Sequence, residues 1–134
     1  MKRLLPLLLA VLAGMLLCSC EPIEGLPVFM NWESSLTFDK NRISNIPAEA
    51  GVYEFTCTSH SYFGLRVSAG SDPSAYHNSL NEPYVFNGPW YEVIIHRNKM
   101  KVTVEANETG ESRSLSLTTT AIQGSAAFYL IQEY

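Results

Sequence analysis

The chain has 134 residues with 9 Lys+Arg against 13 Asp+Glu, three Cys, a net charge of −4 and a nearly neutral mean hydropathy, so it holds one ordinary domain. It is too short for a two-domain enzyme and too acidic to carry a surface that tracks nucleic acid phosphates.

The apolar content is concentrated at the start. Met1-Lys2-Arg3 makes a positive n-region and Leu4 to Leu17 an apolar run of fourteen residues, short of the ~20 needed to span a bilayer and suited instead to a secretory signal peptide. The following Leu17-Cys18-Ser19-Cys20 resembles the lipobox of bacterial lipoproteins: Leu stands three residues before the modified Cys, with a small residue directly before it. That resemblance implies cleavage after residue 19 and acylation of Cys20, whereas Cys18 has the larger Leu17 before it. Loss of residues 1–19 takes Lys2 and Arg3 but no acid, leaving 115 residues, 7 basic against 13 acidic, and a net charge of −6. A multiply acylated Cys20 anchors the chain far beyond the marginal hold of a single acyl chain. The expected location is the cell envelope, at the outer membrane, facing the periplasm or the cell surface. Acidic Glu21 and Glu24 just after the anchor weakly resemble surface-export signals of Bacteroidetes lipoproteins. Cys57 is then the one thiol remaining beyond the anchor, so no internal disulfide framework is expected.

From residue 20 to 33 the chain carries Pro22, Gly25 and Pro27 without a sustained period, which predicts a tether. Beyond it the period is two. Tyr53, Phe55 and Cys57 alternate with Glu54, Thr56 and Thr58; Phe63, Leu65 and Val67 repeat the pattern. Met100, Val102 and Val104 alternate with Lys101, Thr103 and Glu105, and Leu115 and Leu117 with Ser114, Ser116 and Thr118. The run 126–132, with Phe128, Leu130 and Ile131, predicts a closing strand. Asn98-Lys99 predicts a tight hairpin with Asn at positive φ, and Asn107 to Glu111 a turn with Gly110 available for a left-handed residue. No segment has a helical period. Seven to eight short strands with turn residues between them predict an all-β, antiparallel β-sandwich.

Residues 69–89 break the even spacing with Gly70, Pro73, Pro83, Gly88 and Pro89 among Tyr76, His77, Tyr84 and Phe86, followed by Trp90-Tyr91. Loops of this length are functional or disordered, and the aromatics argue against disorder.

The order Leu36-Thr37-Phe38-Asp39-Lys40, Ile46-Pro47-Ala48-Glu49-Ala50-Gly51, Val102-Thr103-Val104-Glu105-Ala106-Asn107, Ser112-Arg113-Ser114 and Tyr129-Leu130-Ile131-Gln132 resembles a BACON-type domain over residues 35–133. The resemblance implies an immunoglobulin-like sandwich of an exported Bacteroidetes protein with a suspected association with carbohydrate, and makes residues 69–91 an insertion.

Catalysis finds little support. A Cys57–His60 nucleophile needs an exposed thiol in an electropositive setting, and Cys57 shares a face with Tyr53 and Phe55. His60, His77 and His96 lie on separate segments without the spacing of zinc sites, so no metal and no cofactor is expected. The acids alternate outward rather than pairing across a cleft, and no phosphate-cradling Gly loop or Gly-x-Ser-x-Gly occurs. The expectation is a protein that is not an enzyme and does not bind nucleic acid, but binds other molecules. Sugar rings pack their C–H faces on aromatic rings while amides and carboxylates take the hydroxyls. Tyr76, His77, Tyr84, Trp90 and Tyr91, with Asn78, supply that inventory. The competing reading folds Trp90 and Tyr84 onto the sandwich as a satellite core and makes Trp32 a lid over one end of it. A protein-interaction or assembly role with an envelope partner is the alternative to carbohydrate or glycoconjugate binding.

Overall fold

The computed structural model describes residues 29–134; the expected signal peptide, Cys20 and the tether as far as residue 28 lie outside them. Ten strands follow in chain order: β1 (Trp32–Ser34), β2 (Ile43–Ile46), β3 (Gly51–Cys57), β4 (Gly64–Ser68), β5 (Ala75–Asn78), β6 (Tyr84–Asn87), β7 (Tyr91–His96), β8 (Lys99–Val104), β9 (Arg113–Ala121) and β10 (Gly124–Gln132). They form two five-stranded sheets, β1-β3-β8-β7-β6 and β2-β10-β9-β4-β5. All pairings are antiparallel except that of β2 with β10. The molecule is an immunoglobulin-like β-sandwich.

The period-two pattern sets which side chains meet between the sheets. Phe55 and Cys57 of β3, Met100, Val102 and Val104 of β8, and Val93 and Ile95 of β7 face Leu65 and Val67 of β4, Leu115 and Leu117 of β9, and Phe128 and Leu130 of β10, all buried. Phe128 sits within an aromatic cluster, with Phe55 at 5.2 Å and Phe38 at 5.1 Å between ring centroids. Trp32 packs edge-on against Phe63 at 4.9 Å and Phe128 at 5.6 Å, so it closes one end of the core.

Several expectations change. The described residues form ten strands rather than seven to eight, because residues 69–91 are not a long loop: the aromatics at 75–78 and 84–87 build an edge strand on each sheet. The folded unit starts before residue 33, since Met30 is buried and Trp32–Ser34 pairs with β3. Ile131 faces outward, because alternation puts Phe128, Leu130 and Gln132 on the inner face. In the β7–β8 hairpin Arg97 takes the positive φ (55°) instead of Asn98, whose side-chain amide donates to the Cys57 carbonyl at 3.1 Å. Gly110 is left-handed as expected, at φ 80°.

Register assigns the turns to two poles. The start of β1, the end of β3 and the β7–β8 and β9–β10 hairpins share one pole, where the described chain begins. Residues 47–50, 69–74, 88–90, 105–112 and the C-terminus share the other, distal pole.

Candidate functional site

β5 and β6 are the outermost strands of opposite sheets on the same flank, joined by residues 79–83. Ser79 fastens that crossing. It is fully buried; its hydroxyl accepts the Phe63 N–H at 2.9 Å and donates to the Arg97 carbonyl, and its own N–H donates to the Phe63 carbonyl at 2.9 Å. The two edges are then close enough for His77 and Tyr84 to stack, 3.8 Å between centroids and 6° from parallel. His77 Nδ1 lies 2.7 Å from the Asn78 carbonyl, which can only accept, so the proton is on Nδ1. Tyr84 in turn meets buried Phe86 edge-on at 4.8 Å.

Toward the distal pole the chain turns from β6 to β7 through Gly88-Pro89-Trp90, closed by the Gly88 N–H on the Tyr91 carbonyl at 2.9 Å. Glycine is needed here because a Cβ at 88 would overlap the Tyr91 ring. Trp90 meets Tyr91 edge-on at 5.3 Å and lies under the Arg113 guanidinium, whose Cζ is 4.3 Å from the indole centroid. Arg113 is held from behind: Nε donates to Gln132 Oε1 at 2.8 Å, and Nη2 to the carbonyls of Glu105 and Ala106 at 3.1 and 3.2 Å. Gln132, fully buried, donates through Nε2 to the Glu105 and Ala48 carbonyls at 2.8 and 3.3 Å. Asn107 Nδ2 donates to the carbonyls of Glu111 and Glu133 at 2.8 and 2.9 Å. Burial lowers the Arg113 pKa, with Glu105 opposing. Burial, then Asp72, raises that of Tyr91 and keeps its hydroxyl protonated.

Two clefts flank the Trp90–Tyr91 pair. One, of 430 Å³, runs along the seam between the edge strands and is lined by Tyr84, Phe86, Asn87, Tyr91 and Asp72 among others. The second, of 570 Å³, is lined by Trp90, Arg113, Ser71, Ser112, Ser114 and again Asp72. Asp72 and Asn87 are exposed, so their polar groups are available to a ligand.

Of the five residues singled out in the sequence, Tyr84, Trp90 and Tyr91 therefore line these adjoining clefts while also packing against the core. His77 lies at the seam, stacked on Tyr84. Tyr76 is elsewhere: it stands 54 % exposed on the outer face of its sheet, over Gly64, with Arg66 Cζ 5.7 Å from its ring centroid. Sequence reading missed Asp72, Asn87 and Arg113 as lining residues. Only the position of Asp72 between Gly70 and Pro73 hinted at a turn that presents it.

Cys57 is buried, 1 % exposed, with Sγ 3.7 Å from Ser59 Oγ. His60 Nε2 donates to the Ile122 carbonyl at 3.1 Å, which leaves Nδ1 to accept the Ser59 hydroxyl at 2.8 Å. Ser59 thus separates the thiol from the imidazole. Among the described residues no three His, Cys, Asp or Glu side chains group to hold a metal.

No protein-family model matches the sequence, and no curated protein matches it. The fold is similar to that of a protein from Bacteroides thetaiotaomicron solved by NMR, with 27% identity and a TM-score of 0.65 over 87% of this chain and 96% of that one.

Proposed function

We propose that the protein is a non-catalytic, lipid-anchored binding module of the bacterial cell envelope that takes carbohydrate at its distal pole. The observation that carries this reading is the pair of clefts meeting at Asp72, which combine the rings of Tyr84, Trp90 and Tyr91 with the polar groups of Asp72, Asn87, Arg113 and three serines. Apolar ring faces for sugar C–H surfaces, beside a few fixed polar groups, are what an oligosaccharide requires. Support for the ligand class also comes from the resemblance to BACON-type domains, and support for the anchor from the lipobox-like Leu17-Cys18-Ser19-Cys20. Burial of Cys57 favours a role without covalent chemistry. The distal pole carries Glu49, Asp72, Glu105, Glu108, Glu111 and Glu133 against Arg113, which favours neutral or amino sugars over polyanionic ones.

The test is a titration of the protein with neutral, amino and uronic acid glycans. Binding of a neutral or amino glycan is expected, weakened about tenfold by Asp72→Ala or Asn87→Ala, the loss of a hydrogen bond or two. Both side chains are exposed, so the fold is retained. No binding across the set overturns the carbohydrate reading and leaves an envelope protein as the partner to seek.

A further inference from the structure

Both poles expose apolar side chains, Tyr134 at the distal one being 73 % exposed, but the pole where the described chain begins groups three of them on neighbouring turns. Phe29 is 74 % exposed, Ile122 69 % and Tyr62 36 %. Local contacts bring them together. The Asn31 N–H donates to Ser59 Oγ at 2.9 Å, His60 Nε2 donates to the Ile122 carbonyl, and a Cβ at Gly124 would lie 3.4 Å from the Met30 nitrogen. Tyr62 and Ile122 line one groove of 400 Å³ with Leu80 and Tyr76. Phe29, Tyr62 and Ile122 all lie outside the buried core of the sandwich.

Two further observations say what covers them. Eight residues lie between Cys20 and Phe29, and the nine steps from one to the other reach at most about 30 Å, so an anchor at Cys20 keeps this pole beside the bilayer. The charge distribution agrees. The folded part of this pole holds Arg97 and Lys99 against Glu33 and Glu82, with Glu21 and Glu24 in the segment between it and Cys20, whereas the distal pole holds six carboxylates against Arg113. An anionic lipid surface repels the distal pole more strongly than this one.

We infer that the N-terminal pole, through Phe29, Tyr62 and Ile122, rests in the lipid headgroup region beside its own anchor, and so turns the distal clefts away from the membrane. The inference rests on the lipid-anchor reading given above. Aromatic and branched apolar side chains on a polar support suit that interface, and the anchor supplies the proximity that three side chains alone would not.

The experiment uses the full lipidated chain in vesicles of phosphatidylethanolamine and phosphatidylglycerol. An environment-sensitive fluorophore is attached at Ile122→Cys or, as control, at Glu108→Cys, since buried Cys57 stays unlabelled in the folded protein. Flotation with the vesicles, abolished by Cys20→Ala, tests the anchor. Blue-shifted emission and quenching by brominated lipid at 122 but not at 108 is the expected result. Flotation with equal quenching at both positions, or with none at either, overturns the pole contact and leaves the anchor standing; absence of flotation overturns both. As an independent readout, the triple variant Phe29→Ser, Tyr62→Ser, Ile122→Ser still floats, and a protease cuts its tether several-fold faster than in the parent. An unchanged cleavage rate counts against the contact.

Discussion

Single residues hold the distal end together more than they bind anything there. Gln132 is fully buried, and its amide satisfies the Glu105 and Ala48 carbonyls while its oxygen accepts from Arg113 Nε. Gln132→Ala leaves Arg113 Nε without its partner and takes one of two donors from each of the Glu105 and Ala48 carbonyls, which keep Arg113 Nη2 and the Asn107 N–H; denaturant unfolding is expected to show a loss of roughly 1–3 kcal/mol. Cys57 makes the complementary case of a side chain whose chemistry is suppressed by its position. A thiol reagent should modify it only after denaturant is added; modification at the same rate in the folded protein would show that the site opens. Tyr53 and Tyr91 have raised pKa values, in both cases chiefly through burial, with Glu49 and Asp72 adding to it. The folded state therefore prefers their neutral form, so this contribution is complete below the usual tyrosine pKa of about 10 and is lost as pH rises through the folded values. Chemical denaturation at about pH 8 and about pH 11 should give a smaller stability at the higher value.

At the scale of elements, the alternation of apolar and polar residues placed β3, β4, β8 and β9 to within a few residues, because a period of two has one solution when one face must be buried. It failed at 69–91, where Pro and Gly mask the pattern and the edge strands are mostly exposed: all of β5 and half of β6 face water. An edge strand has one neighbour, so its sequence carries little of the hydrophobic signal. Hairpin geometry was also hidden, since either residue of the β7–β8 turn could take the positive φ and Arg97 does, freeing the Asn98 amide for the Cys57 carbonyl. The β9–β10 turn similarly holds Gln123 at φ 56°. Gln123→Gly should relieve about 1 kcal/mol of left-handed strain, less a smaller entropic cost, and raise the thermal midpoint by a few degrees. An unchanged or lower midpoint would show that no strain is stored there.

For the whole molecule, topology separates two surfaces that the linear sequence runs together. The described residues start at a pole with exposed Phe29, Tyr62 and Ile122, and the clefts open along one flank and at the far, acidic pole. If that separation serves presentation of a ligand away from a membrane, the Asp72→Ala variant should lose glycan affinity without altering vesicle quenching, and the apolar-pole triple variant should do the reverse. Sensitivity of both readouts to either change would mean that the poles do not act independently. The motif residues Asn107, Arg113 and Gln132, which carried the family resemblance, turn out to knit loop carbonyls rather than to form a ligand set, though Arg113 also walls a cleft. By itself the sequence determined the all-β class, the inward faces of the central strands and the burial of Cys57, because these follow from local alternation and the need to bury one face. Only the tertiary structure decided that Tyr84, Trp90 and Tyr91 share adjoining clefts with Asp72 while Tyr76 does not: residues on opposite sheets become neighbours through sheet order and register, which no local pattern encodes.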